Sequence, residues 1–323
     1  SRVEFECLWA LGPNCGVDRL DAIIEAINQC NYYGMDGISA GGIVGFAMDC
    51  YEHGILTEKD TDGLDLRFGN AEALVETVKR MGSRKGWLGD VLAEGTMRAA
   101  EKIGKGAVKY ANHIKGLELP GYALRTLKTA ALGFSVSFRG ACHLRSGAYS
   151  PDVKGKVDRF KIEKGRGKIV MDGEDLYNVV DSLILCKFSR GVFYEGINEM
   201  AKYYTLSTGI EMPPEELIQA GERINNLARL LNIREGKGTR EYDQLPPKIL
   251  SVPVPDEGIA KGAHVNQKEF DIGLDDYYEV RGWTKEGIPT VEKLKELDLS
   301  DLVPIVKKKL GSQNPKKKRK GGK

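Results

Sequence analysis

Four short stretches set polar side chains in largely apolar surroundings, where they could do chemistry. Glu6 lies within Val3-Glu4-Phe5-Glu6-Cys7-Leu8-Trp9-Ala10-Leu11-Gly12. A carboxylate buried in such a run gains a raised pKa and suits a general base. The plainer reading is a solvated charge on a strand or helix, because Glu is rarely buried unpaired. The second stretch is Asn31-Tyr32-Tyr33-Gly34-Met35-Asp36. The third, Arg139-Gly140-Ala141-Cys142-His143-Leu144-Arg145, flanks a histidine with two guanidinium groups. That suits an anion-binding loop with one group able to titrate near neutral pH. A loop histidine with a structural role reads equally well from residue type alone. In the fourth, Asp181-Ser182-Leu183-Ile184-Leu185-Cys186, an Asp precedes a Cys by five residues. It could aim a thiolate at a metal cluster, or simply end a helix with a core cysteine.

No self-sufficient catalytic motif accompanies them: the chain has no Walker A loop, HExxH or CxxC. The cysteines Cys7, Cys15, Cys30, Cys50, Cys142 and Cys186 are widely spaced in a 323-residue chain. Reduced thiols and a cytoplasmic setting are therefore expected, rather than a disulfide scaffold. The formal charge of +2 is carried by the tail. Without the six positive charges of Lys316, Lys317, Lys318, Arg319, Lys320 and Lys323 the remainder is at −4. Nothing in that mildly acidic body suggests a nucleic-acid surface. No apolar run of membrane-spanning length occurs, and no signal peptide is read at Ser1.

Helices must position these residues. Leu20, Ile23, Ile24, Ile27 and Cys30 form one amphipathic stripe. Ile43, Val44, Ala47, Met48 and Tyr51 form a second, with Gly37–Gly42 between them read as a flexible turn. Asn70 caps a third helix, and a fourth is expected over Asp90–Ile103. Leu127–Phe138 is expected to be helical, with Gly140 breaking into the loop that holds Cys142, His143 and Arg145. Residues 151–173, rich in Lys and Gly, predict an exposed excursion. A long helix follows Pro213-Pro214, and 246–265 predicts an extended surface connection. No alternating strand pattern appears, so the fold is expected to be mainly α. The tail 311–323 predicts a disordered, basic end.

The four stretches in this order resemble the aldehyde:ferredoxin oxidoreductase family. The likeness continues through Lys115-Gly116-Leu117-Glu118-Leu119-Pro120 to Arg281-Gly282-Trp283-Thr284 and spares only the basic tail. It implies two multihelical domains, a helical middle domain over 1–113 and a helical C-terminal domain over 114–310. It also implies a tungsten or molybdenum ion held by two pterins (a bis-pterin, molybdopterin-type cofactor) beside a [4Fe–4S] iron–sulfur cluster. Glu6 and His143 match the acid/base pair beside the metal. Asn31, Met35 and Asp36 match the first pterin motif, with Asn and Met replacing Asp and Leu. Asp181 and Leu185 match the second, with Ile184 in place of Gly. Arg139 and Arg145 match basic pterin contacts, and Cys186 matches the fourth metal-binding cluster cysteine.

The family's other three cluster cysteines belong to a run upstream of the Glu6 region. The implied protein is thus the C-terminal half of a split oxidoreductase that oxidises a small aldehyde to a carboxylate. An N-terminal polypeptide would supply the three cysteines, and a ferredoxin or iron–sulfur subunit would take up the electrons. Two alternatives stay open: a non-catalytic scaffold paralogue, and a benzoyl-CoA-reductase-like subunit. The latter is suggested by Tyr122-Ala123-Leu124-Arg125, where the family more often has Tyr-Asp-Pro-Arg.

Overall fold

The computed structural model describes residues 3–192, 195–255 and 257–312. The architecture is mainly α, as expected. The sheet among the described residues is a two-stranded antiparallel ladder in which Ile114 pairs Leu117 and His113 pairs Glu118. The chain forms two compact units. One comprises Ser1–Leu127, Arg139–Cys142 and Leu245–Asn266; the other comprises Lys128–Phe138, His143–Gln244 and Gln267–Lys323.

In the first unit the helix Leu20–Tyr33 buries Ala22, Ile23, Ala26, Ile27 and Cys30. The predicted stripe is therefore present but rotated: Leu20 is exposed and alanines close the face. Residues Gly37–Gly42, expected as a flexible turn, instead begin the helix Gly37–Glu52. Asp36 caps it, its carboxylate accepting the Ser39 N–H at 3.1 Å. The reason for glycine here is close approach: a Cβ on Gly41 would fall 2.3–2.6 Å from Ala10. Asn70 caps the helix Ala71–Ser83, as its position predicted. The single helix expected over Asp90–Ile103 is two, Gly86–Leu92 and Thr96–Ile103. They part at Gly95, whose φ of 88° no helix accommodates. There the buried Glu118 carboxylate accepts the Thr96 N–H at 2.7 Å. Residues 246–265 are not a bare surface connection. They hold the short helix Pro247–Ser251, bury Ile249 and Val265, and pair Lys248 with the buried Asp49 at 2.5 Å.

In the second unit every side chain of the helix Lys128–Val136 is buried. The excursion expected over 151–173 is only partly exposed. Asp152 is buried and accepts the Ala130 N–H at 3.0 Å. Arg166 is buried and donates to Thr129 Oγ1 at 3.1 Å and to the Asp158 carbonyl at 2.9 Å. Arg166 also opens the 17-residue helix Arg166–Ser182. Charge marked this segment as solvated, but two of its charges are paired inside. The helix Pro214–Arg234 starts at the predicted prolines and packs on Arg166–Ser182. Buried ion pairs lock the unit: Arg281 to Glu174 and Asp175, each at 2.7 Å, and Arg229 to Asp243 in a two-point contact at 2.7 and 2.9 Å.

Among the described residues no helix is long and apolar enough to cross a membrane. Of the expected basic tail, residues 311 and 312 end the helix Val303–Ser312, and 313–323 lie outside the described residues.

Candidate functional site

Glu6 lies on the short helix Phe5–Leu11, half-buried. Burial pushes its carboxyl up from the ordinary value, and a hydrogen bond from the Gly121 N–H, 2.8 Å from Oε2, partly offsets this. Trp9, one turn along the same helix face, also faces Gly121. A Cβ there would come within 3.0 Å of the Trp9 ring and 3.3 Å of Glu6 Oε2. Glycine at 121 thus lets the backbone approach the carboxylate. The sequence marked Glu6 but not Trp9 or Gly121, because their meeting spans 115 residues.

The two motifs matched to pterin binding share one backbone geometry. At the end of Leu20–Tyr33 the Gly34 N–H bonds the Asn31 carbonyl and the Met35 N–H bonds that of Cys30. At the end of Arg166–Ser182 the Ile184 N–H bonds the Asp181 carbonyl and the Leu185 N–H bonds that of Val180. Both are Schellman turns, closed by a residue with positive φ: 69° at Gly34 and 58° at Ile184. A β-branched residue is strained there, and Ile184 is 93% exposed, so packing does not compensate. Met35 and Leu185 each pack against the core of their own unit. Asn31 and Asp36 are exposed, and Met35 and Asp36 line a cavity of about 440 Å³ bounded also by Gly116 and Glu118.

The second unit brings Arg145 and Asp181 together, with Arg145 Nη1 2.9 Å from Asp181 Oδ2. The approach is an ion pair without hydrogen-bond alignment, and both Oδ2 and Arg145 Nε remain buried with no hydrogen-bond partner. The Arg145 guanidinium also lies over the Phe138 ring, 5.5 Å from its centroid. Lys187 pairs with the other oxygen of Asp181 and lies over Tyr177. Asp181 is therefore held between two cations. Cys186 follows the turn with its thiol exposed. His143 is half-buried in the same unit. In the first unit Arg139 is exposed, and its Nη1 lies 3.8 Å from the Cys142 sulfur.

The remaining cysteines have another character. Burial pushes the thiols of Cys15, Cys30 and Cys50 up to about 12, and that of half-buried Cys7 upward. Such thiols stay protonated and are poor metal ligands. Cys186 alone of the six is exposed.

Comparison with known proteins fits this arrangement. The family model for "Aldehyde ferredoxin oxidoreductase, domains 2 & 3" matches residues 1–299. A tungsten-containing aldehyde ferredoxin oxidoreductase of Pyrococcus horikoshii is 37% identical over 306 residues, covering 93% of this chain and 49% of the relative. The WOR-like subunit of an aliphatic sulfonate oxidoreductase of Pyrococcus furiosus is 30% identical over 316 residues, 94% of this chain and 47% of that one. A solved structure, the active-site complex BamBC of benzoyl coenzyme A reductase with 1,5-dienoyl-CoA, superposes with a TM-score of 0.75 at 25% identity, covering 95% of this chain and 50% of the other. The chain spans about half the length of the curated relatives it matches. It belongs to the aldehyde ferredoxin oxidoreductase family, in the part of that family described as domains 2 and 3.

Proposed function

We propose that this chain is the C-terminal half of a tungsten- or molybdenum-pterin oxidoreductase that oxidises aldehydes to carboxylates. A [4Fe–4S] cluster, held in part by Cys186, would pass the electrons on to ferredoxin. The observation that carries the reading is the matched pair of turns at Gly34 and Ile184, one followed by Asp36 and the other by exposed Cys186. The donor set suits such a cofactor. Asp36 and Asp181 offer carboxylate oxygens, and Arg139 and Arg145 offer guanidinium donors to phosphate or pterin oxygens. Arg145 Nε is buried and unpaired, as a group awaiting an acceptor would be. Cys186 offers one exposed thiol, while a cubane needs four ligands. The N-terminal half supplies the other three.

When bound, a pterin-held metal would supply the two-electron acceptor for the substrate. The rest falls to side chains. An aldehyde and water give the acid with loss of two electrons and two protons. Glu6, ionised above its raised pKa, takes a proton from the water as its oxygen bonds the carbonyl carbon. His143 polarises the carbonyl oxygen or carries the second proton away. Gly121 fixes the Glu6 carboxylate through its N–H.

The test is aldehyde-dependent reduction of ferredoxin by this chain co-produced with its N-terminal half. Turnover with several aldehydes is expected. A complex that reduces an aromatic acyl-CoA and oxidises no aldehyde supports the second reading instead, to which the benzoyl coenzyme A reductase likeness and the Tyr122-Ala123-Leu124-Arg125 stretch give weight.

A further inference from the structure

Cys186 is followed by a lysine to which the proposed reaction gives no role. Lys187 opens the three-residue turn Lys187–Ser189 in the second unit, and Cys186 stands immediately before it. The Ser189 N–H donates to the Cys186 carbonyl at 3.0 Å and the Ser189 hydroxyl donates to it at 2.6 Å, which fixes the backbone that carries both side chains. Burial here runs against residue type. Ile184 and Phe188 are 93% and 91% exposed, while the Lys187 side chain is only 17% exposed. Lysine is ordinarily the residue left in water.

Two contacts from the helix Arg166–Ser182 hold the ammonium inward. It pairs with Asp181 Oδ1 and lies over the Tyr177 ring, 5.2 Å from the centroid. The ring is itself held, its hydroxyl accepting from Arg190 Nη1 at 2.7 Å. Asp181 does not cancel the lysine, because its other oxygen is already paired with Arg145. Arg145, Asp181 and Lys187 carry two positive charges and one negative, a net of +1. Without Lys187 the remaining pair is neutral, so the excess charge rests on this one side chain. A charge sheltered in this way is screened less than that of a free surface lysine.

We infer that Lys187 is an electrostatic control on the [4Fe–4S] cluster proposed at Cys186: its fixed positive charge favours the reduced form and raises the reduction potential. Reduction adds one electron to a cubane already carrying four thiolates, so negative charge grows by one beside the ammonium. Net charge is among the factors that set such potentials. Lys187 thereby governs how readily an electron from the substrate side is accepted and passed on. The inference rests on the reading of Cys186 as a cluster ligand, and it adds a residue that tunes what Cys186 holds.

The test is a reductive titration with dithionite of this chain assembled with its N-terminal half. The electron paramagnetic resonance of the reduced cluster is followed, and iron is measured on the same samples. Lys187→Gln keeps a donor for Asp181 and removes the charge, whereas Lys187→Arg keeps the charge. Lys187→Gln is expected to lower the potential by about 59 mV, a roughly tenfold change in a one-electron equilibrium, with Lys187→Arg staying near the native value. Loss of iron from Lys187→Gln but not from Lys187→Arg also supports a need for the charge. The inference is overturned if Lys187→Gln keeps its iron at the native potential. It is equally overturned if the two variants shift alike or lose iron alike, because the shape of the side chain and not its charge then matters. A native complex without iron overturns the reading of Cys186 and this inference with it. Native iron with no response to Lys187→Gln overturns this inference alone.

Discussion

The backbone N–H of Gly121 donates a 2.8 Å hydrogen bond to Glu6 Oε2, joining residues 115 positions apart in the first unit. Pro120 and Gly121 arrive at the carboxylate from the short ladder at His113–Glu118, while Glu6 arrives on a seven-residue helix. Burial raises the carboxyl pKa and this one donor lowers it again, with burial the larger effect. When ionised, a carboxylate so held takes up a proton more readily than an ordinary one.

The first prediction follows from that balance. A general base works only when deprotonated, so aldehyde turnover should fall as pH drops through the raised Glu6 pKa, above the ordinary carboxylate value of about 4.3. Glu6→Gln should lower turnover by roughly 10²–10⁴-fold and remove that acidic limb. A pH–rate profile of the two assembled complexes checks this; a limb that survives in the variant belongs to some other group.

The second prediction concerns Ile184. It occupies a left-handed turn at φ 58° with its side chain 93% exposed, so it is strained without compensating packing. Ile184→Gly should remove roughly 1–2 kcal/mol of strain and return about 0.4–1 kcal/mol through the freer unfolded chain. The net effect should be stabilising by about 1 kcal/mol, with Tm up by roughly 2–4 °C. Thermal unfolding of the pair measures it, and a lower Tm for the glycine variant contradicts the assignment of strain.

A third prediction comes from the buried cluster of Arg281, Glu174 and Asp175, in which burial raises the Asp175 carboxyl to about 7 against the pull of Arg281. The folded state therefore holds a proton that the unfolded chain releases near pH 4. The sign follows directly. Stability is greatest below about pH 4, declines as pH rises toward about 7, and is flat beyond. The span of about three units corresponds to roughly 4 kcal/mol at most. Urea unfolding from pH 4.5 to 7.5 should show this decline from Asp175, and Asp175→Asn should flatten it. Equal slopes in the two proteins remove Asp175 as the source.

Cys186 carries a fourth. Cys186 is exposed and the exchange of sulfur for oxygen is small, so Cys186→Ser should leave the Tm within about 1 °C. The same change should sharply lower the iron bound by the assembled complex, because a cubane lacking one thiolate is weakly held. Iron analysis and an unfolding curve on the same sample separate the two effects, and undiminished iron would remove Cys186 from the cluster.

Much of the helical frame was legible in the sequence, because amphipathic spacing and caps act within a few residues. Ile23, Ile27 and Cys30 face the core where their spacing put them, and Asn70 and Pro213-Pro214 mark the helix starts. What was not legible depends on distant partners. Gly41 looked flexible because the sequence does not reveal that Ala10 packs against it. Arg166 and Asp152 looked solvated because the groups that satisfy them lie on other elements. At the candidate site, the types of Glu6, Arg145, Asp181 and Cys186 singled them out. The pairing of Lys187 with Asp181 and the Gly121 donor arise only once the chain is folded.

The central claim is that this chain is half of a metal-pterin active site. Elemental analysis of the chain purified together with its N-terminal half tests it most directly. The account predicts tungsten or molybdenum in stoichiometric amount, accompanied by iron. A folded complex of both halves that contains neither tungsten nor molybdenum, and no iron, would contradict it.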